Sequence, residues 1–183
     1  PLHAWPQPPG GSPDEGLDLL DLESGAVSRI ATVADLAGKV SDRELLRGGS
    51  FYLFHVKWSP GGDQLMQVIR CLRPFDRRRW PALLTLDRDG GNVRCVVAPG
   101  RWGGGHHPNW HPDGDSLVMN LEVDGVLRFV RIQADGSGER VLSRHSVGSG
   151  HPAVDPRGRY LVADTYQWEA VAGPGDEIPI RLI

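Results

Sequence analysis

The chain has 183 residues with 24 Gly and 15 Pro, and its 20 basic and 23 acidic residues give a formal net charge of −3. This balance does not indicate a nucleic-acid partner, and no run of about 18 apolar residues predicts a membrane span. Abundant Gly and Pro are typical of an all-β chain with many turns. Two cysteines, Cys71 and Cys95, are too few for a disulfide framework, so the compartment (cytoplasm or bacterial periplasm) stays open.

The first 50 residues predict a loop followed by one incomplete group of strands. Residues 1–16 are rich in Pro and Gly and are expected to form a loop or linker. A hairpin follows, with strands over residues 17–22 and 26–33 on either side of a Ser-Gly turn. Residues 34–48 contain the one stretch with a helical pattern, which we expect to be a short connection.

Three further groups of short strands follow, separated by Pro- and Gly-containing turns. The predicted strands are 51–58, 64–71, 82–87 and 93–98 in the second group, 107–111, 117–122, 127–133 and 140–142 in the third, and 152–155, 160–166 and one near Ile178 in the fourth.

One short pattern occurs once in each of these three groups. Its copies begin at His55, His107 and His151, and the starts lie 52 and then 44 residues apart. A period of about 40–50 residues made of short strands and tight turns is typical of a β-propeller, in which each repeat forms one blade. The sequence therefore predicts an all-β propeller fold with about four blades, spanning 17–50, 51–100, 101–145 and 146–183. We expect these blades to be part of a larger ring, or to complete a ring as a homo-oligomer.

The repeat is predicted to bring histidines together. In a propeller the first strand of each blade lines the central channel. His55, His107 and His151 each precede the turn that ends this strand, so they are expected at one mouth of the channel, with His106 beside them. The returning second strands carry two sets of equivalent residues to the same level: Arg70, Glu122 and Tyr166, and Val68, Asn120 and Asp164.

Convergent imidazoles suit more than one role. Neutral imidazole nitrogens bind divalent transition metals, and a histidine with a pKa near neutrality can remove a proton from a substrate. A purely structural role is the third interpretation, in which each histidine caps its strand by hydrogen-bonding a neighbouring blade. The spacing of the residues leaves all three interpretations open.

Six segments follow one another along the chain: His55 to Trp58, Arg79-Trp80, Leu84 to Gly90, Gly105 to Gly114, Gly150-His151 and Leu161 to Asp164. Together they resemble the later blades of oligogalacturonate lyases, and the Pro-Asp-Gly turn also resembles those of Tol-Pal-type propellers. The resemblance covers roughly residues 17–183 and implies a seven-bladed propeller that binds a divalent metal and cleaves short uronates by β-elimination. The family tends to carry a glutamine after the first histidine, where this chain has Val56-Lys57.

The resemblance also implies roles for individual residues. The predicted catalytic residues are His55, Arg70 and Tyr166, the predicted substrate-binding residues are Arg101, Asp164 and Lys57, and the predicted metal ligands are His107, His151 and His106. The implied metal is manganese, with calcium or zinc as alternatives, and the implied partner is an acidic oligosaccharide. Whether a given histidine acts as a base or as a ligand is left open.

Three functions are compatible with this pattern. The first is a metal-assisted lyase acting on uronate-containing oligosaccharides. The second is a non-catalytic propeller that binds a glycan or a protein at the channel mouth, and the third, least favoured, is a different metal-dependent hydrolase. Stoichiometric bound metal is expected for the first function and not for the second.

Overall fold

The computed structural model describes residues 9–76, 78–166, 168 and 179–183. Nearly all regular structure in these ranges is β, arranged in four sheets. The chain clusters into two compact units, one made of residues 1–56 and 63–101 and the other of residues 57–62 and 102–183. In the described ranges, no helix has the length and apolar character needed to cross a membrane.

The first unit begins with a hairpin of β1 (Gly16–Leu20) and β2 (Val27–Thr32), which pair antiparallel. Helix α1 (Val33–Ala37) follows directly. Thr32 and Asp35 form a reciprocal capping box, because each side chain accepts a hydrogen bond from the other residue's backbone N–H. The helical stretch expected within residues 34–48 therefore includes a real but much shorter helix, which begins one residue earlier.

A second sheet contains four strands, β3 (Ser50–Trp58), β4 (Gln64–Leu72), β5 (Arg79–Asp87) and β6 (Arg94–Val97), in that spatial order. The last two residues of β3 belong to the second unit. The central parts of β4 and β5 are buried on both faces, which is typical of strands in the middle of a covered sheet. Leu36 of α1 packs into the same core as Ile69 and Leu84, so the helix covers part of the sheet.

The second unit contains two sheets. One orders its strands β7 (Asn109–Trp110), β8 (Ser116–Val123), β9 (Val126–Gln133) and β10 (Arg140–Val141), and the other orders β11 (Ala153–Val154), β12 (Leu161–Ala163) and β13 (Arg181–Leu182). Val118 and Phe129 of the first sheet share a buried cluster with Leu161 and Ala163 of the second. The two sheets of this unit therefore pack against each other.

The registers of these two sheets agree with the alignment of the sequence repeats. Asn109 pairs with Val118 in one sheet, and Ala153 pairs with Val162 in the other. Counting from these pairs makes His107 equivalent to His151, Asn120 to Asp164 and Glu122 to Tyr166, as the sequence comparison assumes.

The turn after each first strand depends on an aspartate. The Asp113 carboxylate accepts hydrogen bonds from the backbone N–H groups of Asp115 and Ser116 at 3.1 and 3.2 Å. Asp155 accepts equivalent bonds from Arg157, Arg159 and Tyr160. A short acidic side chain that binds the following backbone is the usual stabiliser of such turns, which explains why aspartate marks them in the sequence.

Three sequence expectations need correction or fall outside the described residues. The strand predicted over 107–111 pairs only at Asn109 and Trp110, because His107 has a φ of +55°, outside the extended region. The strand expected near Ile178 and the first half of the loop over 1–16 fall on residues outside the described ranges. The third strand described in the last sheet is β13. The boundaries of the four blade pieces stay a prediction.

Candidate functional site

A histidine–carboxylate pair forms where β12 ends. His151 Nδ1 lies 2.9 Å from Oδ2 and 3.1 Å from Oδ1 of Asp164, and its backbone N–H also donates to that carboxylate. Burial alone would raise the pKa of Asp164, but the hydrogen bonds and charge of His151 hold it below its ordinary value. The carboxylate is therefore ionised at neutral pH and orients the imidazole, leaving Nε2 available.

Tyr166 lies between two imidazoles. Its hydroxyl is hydrogen-bonded to Nε2 of His107 and lies 3.5 Å from Nε2 of His151, at the outer limit of a hydrogen bond. The rings of His107 and His151 are tilted against each other with their centroids 3.8 Å apart. A phenol in contact with two imidazoles can pass a proton in either direction.

His106 completes what we call the imidazole–phenol cluster (His106, His107, His151, Asp164 and Tyr166). Its ring makes an edge contact with Tyr166, with the centroids 4.9 Å apart. The buried side chain of Asn120 donates to the Gly150 carbonyl at 2.8 Å and lies 3.4 Å from His106 Nδ1. Asn120 thus contacts both Gly150, the residue before His151, and the imidazole of His106.

Trp168 is a member of the site that the sequence does not indicate. Its ring stacks on Tyr166 at 4.7 Å between centroids and 10° between planes, and the residue is 79% exposed. A flat aromatic surface open to solvent beside proton-transferring groups is suited to hold a ligand ring. No repeat motif includes this position, so only its place after β12 could have drawn attention to it.

Lys57 contacts the backbone beside the cluster. Its Nζ donates to the Pro108 carbonyl at 3.3 Å, and its own carbonyl accepts from Trp110 Nε1 at 3.1 Å. Loss of hydration lowers the pKa of Lys57. Asn109, at the equivalent strand position, donates to the Pro152 carbonyl at 3.3 Å. Both side chains therefore fix the residue that follows a cluster histidine.

The first unit contains the remaining predicted residues. The Arg70 guanidinium lies 3.4 Å above the Phe54 ring, and that ring stacks on His55 at 4.0 Å. Arg101 closes a turn through a bond from its N–H to the Ala98 carbonyl. His55 and Arg70 are thus neighbours of one aromatic ring, while His106, His107, His151, Asp164 and Tyr166 are brought together in the second unit.

A metal centre is not preformed in the described part of the chain. Among the residues that the structure describes, no three His, Cys, Asp or Glu side chains are grouped so that they could hold a metal ion. The nitrogens and oxygens of the imidazole–phenol cluster instead bond to one another, as in the His151–Asp164 pair.

Comparison with known proteins identifies the fold. No protein-family model matches the chain. Among solved structures, it is similar to TolB from Acinetobacter baumannii, with a TM-score of 0.57 and 12% identity over 96% of this chain and 37% of that one. It is also similar to an oligogalacturonate lyase in complex with manganese, with a TM-score of 0.58 and 19% identity over 82% of this chain and 36% of that one.

These similarities lie in the structure and not in the amino-acid sequence, since the identities are low. A third similar structure is an acylaminoacyl peptidase from Pyrococcus horikoshii, with a TM-score of 0.50 and 10% identity over 66% of this chain and 19% of that one. The chain spans little more than a third of the length of the first two proteins. TolB and oligogalacturonate lyase are β-propeller proteins, so the predicted all-β propeller fold is confirmed.

Proposed function

We propose that the chain forms part of the site of a polysaccharide lyase-like protein that cleaves uronate-containing oligosaccharides by β-elimination. The observation that carries the proposal is the position of the Tyr166 hydroxyl between His107 and His151, with Asp164 behind His151. The similarity to an oligogalacturonate lyase supports the proposal at the level of the fold.

The reaction requires one proton acceptor and one proton donor. A base removes the proton at C5 of the uronate, and the electrons of that C–H bond form the C4–C5 double bond as the C4–O bond breaks. The leaving oxygen then takes up a proton. Both proton transfers need side chains at hydrogen-bond distance from the reacting atoms.

His151 and Tyr166 are suited to these two tasks. Because Nδ1 of His151 donates to Asp164, Nε2 carries the lone pair that can accept the C5 proton. The Tyr166 hydroxyl can protonate the leaving oxygen and regain the proton that His151 took from C5, because its oxygen lies 3.5 Å from Nε2 of His151. Trp168, stacked on Tyr166, would hold a neighbouring sugar ring.

The uronate carboxylate needs positive charge, because negative charge develops on it as the C5 proton leaves. Arg70 and Arg101 stay the proposed partners for this group, and His55 stays an alternative base. Arg70 already lies against Phe54, which restricts the directions in which its guanidinium can donate hydrogen bonds.

The described residues do not by themselves fit a manganese site. A catalytic metal usually has three protein ligands, and no such group is present among the residues described. The ligand roles of His106, His107 and His151 stay a proposal. Elemental analysis tests it: about one metal ion per chain, lost in His107→Ala, would support those roles, and an unchanged metal content would contradict them.

Loss of the Tyr166 hydroxyl tests the proposed chemistry. We expect Tyr166→Phe to lower kcat on oligogalacturonates about 100-fold or more, as loss of a general acid does. The measurement is the ultraviolet absorbance of the unsaturated product. Tyr52→Phe is the matched control, since Tyr52 Oη is buried without a hydrogen-bond partner in the described part of the chain. Equal activity of both variants would contradict the role of Tyr166.

A second function is favoured by the exposure of Trp168 and the lack of a preformed metal group among the described residues. In this case the propeller binds an acidic glycan beside the imidazole–phenol cluster without cleaving it. Binding of oligogalacturonate with no unsaturated product, lost in Trp168→Ala and kept in Tyr166→Phe, would identify this function.

A further inference from the structure

A second recess lies away from the imidazole–phenol cluster. It has a volume of about 380 Å³ and is lined by residues of both sheets of the second unit. Tyr160, on its wall, precedes β12, whereas Asp164 and Tyr166 follow the same strand. The recess and the cluster are therefore associated with opposite ends of β12.

The recess combines an apolar surface with cationic side chains. Leu142, Val154 and Tyr160 contribute the accessible apolar lining, and Arg131, Arg140 and Arg159 contribute guanidinium groups. No acidic side chain of the described chain is among the lining residues. A volume in the range of small-molecule sites, with a few polar groups on an apolar surface, is typical of a ligand pocket.

The three arginines are not equivalent. Arg131 pairs with the Asp113 carboxylate and donates to Ser116 Oγ at 2.7 Å, so it is held in place within the protein. Arg140 lies directly opposite Arg131 on the neighbouring strand, which places two guanidinium-bearing residues side by side. Asp113 already balances the charge of Arg131, so Arg140 is the guanidinium of this pair that a bound anion would meet.

Arg159 is on the other side of the recess. Its guanidinium lies 5.5 Å from the centroid of the Tyr160 ring. The nearby Asp155 carboxylate accepts hydrogen bonds from the backbone of Arg157, Arg159 and Tyr160, so its oxygens are engaged in the turn. Arg159 and Arg140 are both exposed; Arg140 lines the recess from β10, and Arg159 lines it from the turn between β11 and β12.

We propose that this recess binds a small organic carboxylate with an apolar body. A guanidinium binds a carboxylate through two parallel hydrogen bonds, which makes arginine the residue of choice for this group. The apolar lining and the volume both exceed what a bare inorganic anion needs, so the ligand buries an apolar part against the exposed side chains of Leu142 and Tyr160. This site is independent of the proposed lyase function.

Calorimetric titration of the full chain with 3-phenylpropionate and its uncharged amide tests the proposal. We expect the carboxylate to bind at least about tenfold more tightly than the amide, as loss of a charge-assisted hydrogen bond implies. Inorganic phosphate should bind more weakly than 3-phenylpropionate, because it has no apolar part. Equal binding of acid and amide, phosphate binding as tight as 3-phenylpropionate, or no binding of either organic probe would overturn the proposal.

Paired variants test the residues. The double variant Arg140→Gln/Arg159→Gln should lose about tenfold or more in affinity for 3-phenylpropionate. Arg157→Gln is the matched control, since Arg157 is exposed in the same turn as Arg159 and does not line the recess. The Arg157→Gln variant and the Tyr166→Phe variant should both bind 3-phenylpropionate with the affinity of the unmodified protein. A double variant that melts normally and binds normally would contradict the assignment.

Discussion

A single glycine controls the geometry of the His151–Asp164 pair. Gly150 has a φ of +59°, in the left-handed region that residues with a Cβ adopt only at a cost. A Cβ at this position would also lie 2.0 Å from Oδ1 and 2.2 Å from the backbone carbonyl oxygen of Asp164. The glycine therefore allows the Asp164 carboxylate to approach the backbone closely enough to bind both the N–H and the imidazole of His151.

Gly150→Ala should destabilise the protein more than the same change at another left-handed glycine. Gly114 has a φ of +79°, and a Cβ added there would meet no atom within 4 Å, so Gly114→Ala carries only the backbone cost of about 1–2 kcal/mol. Gly150→Ala should cost about 1–3 kcal/mol more, because Asp164 must move. Denaturant unfolding measures both, and equal values would show that Asp164 yields without cost.

The aspartate turns link residue chemistry to pH-dependent stability. Burial would raise the pKa of Asp113, but hydrogen bonds from Asp115 and Ser116, with the charges of His111 and Arg131, hold it below its ordinary value. A carboxyl with a lowered folded-state pKa stabilises the protein above its unfolded-state pKa of about 3.9. That stabilisation is lost as the pH falls through the folded-state value.

Asp113→Asn should therefore lower stability at neutral pH and flatten its acid dependence. We expect a loss of about 1–2 kcal/mol near pH 7, typical of hydrogen bonds to a charged group. The difference between the two proteins should shrink as the pH falls from about 5 to below the ordinary aspartate pKa. Urea unfolding across this range provides the measurement, and a constant difference at all pH values would contradict the explanation.

At the scale of strands, the repeat creates the same contact twice. Lys57 and Asn109 each come directly before a tryptophan in the first strand of a repeat. Lys57 donates to the carbonyl of Pro108 and Asn109 to that of Pro152, and each of these prolines follows a cluster histidine. The sequence alignment indicates that the two positions are equivalent but not what they contact, because the acceptor lies some 50 residues away in the chain. Lys57 could therefore serve to join its strand to Pro108, and this is an alternative to its predicted role in substrate binding.

Replacing the two lysines of the chain distinguishes these roles. If Lys57 is a link, Lys57→Met should lower the free energy of unfolding by about 1 kcal/mol, as loss of one hydrogen bond does, and Asn109→Ala should have a similar effect. Lys39→Met is the control, because it removes the other lysine of the chain, which lies in the turn after α1 and outside the strands. A Lys57→Met variant of normal stability whose affinity for oligogalacturonate falls would instead support substrate binding.

At the scale of the whole chain, the sequence predicts the architecture better than the site. The turns at Asp113 and Asp155 are held by hydrogen bonds between residues close together in the chain. The sequence alone can therefore predict where these strands end. The register of β7 with β8 and of β11 with β12 follows from those turns. The Tyr166–Trp168 stack and the bond of Asp164 to His151 depend instead on side-chain directions after β12, which no spacing specifies.

The four sheets also predict an uneven distribution of stability along the chain. β4 and β5 are each paired on both sides and buried through their centres, and β8 and β9 are paired on both sides, with β8 buried along most of its length. β1 and β2 form a two-stranded sheet with exposed positions, and two-stranded sheets are marginally stable in water. Local opening should therefore begin in β1–β2 and reach the centres of the four-stranded sheets last.

Hydrogen–deuterium exchange followed by mass spectrometry tests this order. Peptides covering β4–β5 and β8–β9 should exchange at least about tenfold more slowly than those covering β1–β2, since each 1.4 kcal/mol of extra opening free energy slows exchange about tenfold. Exchange of the unfolded chain provides the intrinsic rates for correction. Protection of β1–β2 equal to that of β4–β5 would mean that the first unit opens as one cooperative body, with the contacts of α1 with β1 and β2 joining the hairpin to the covered sheet.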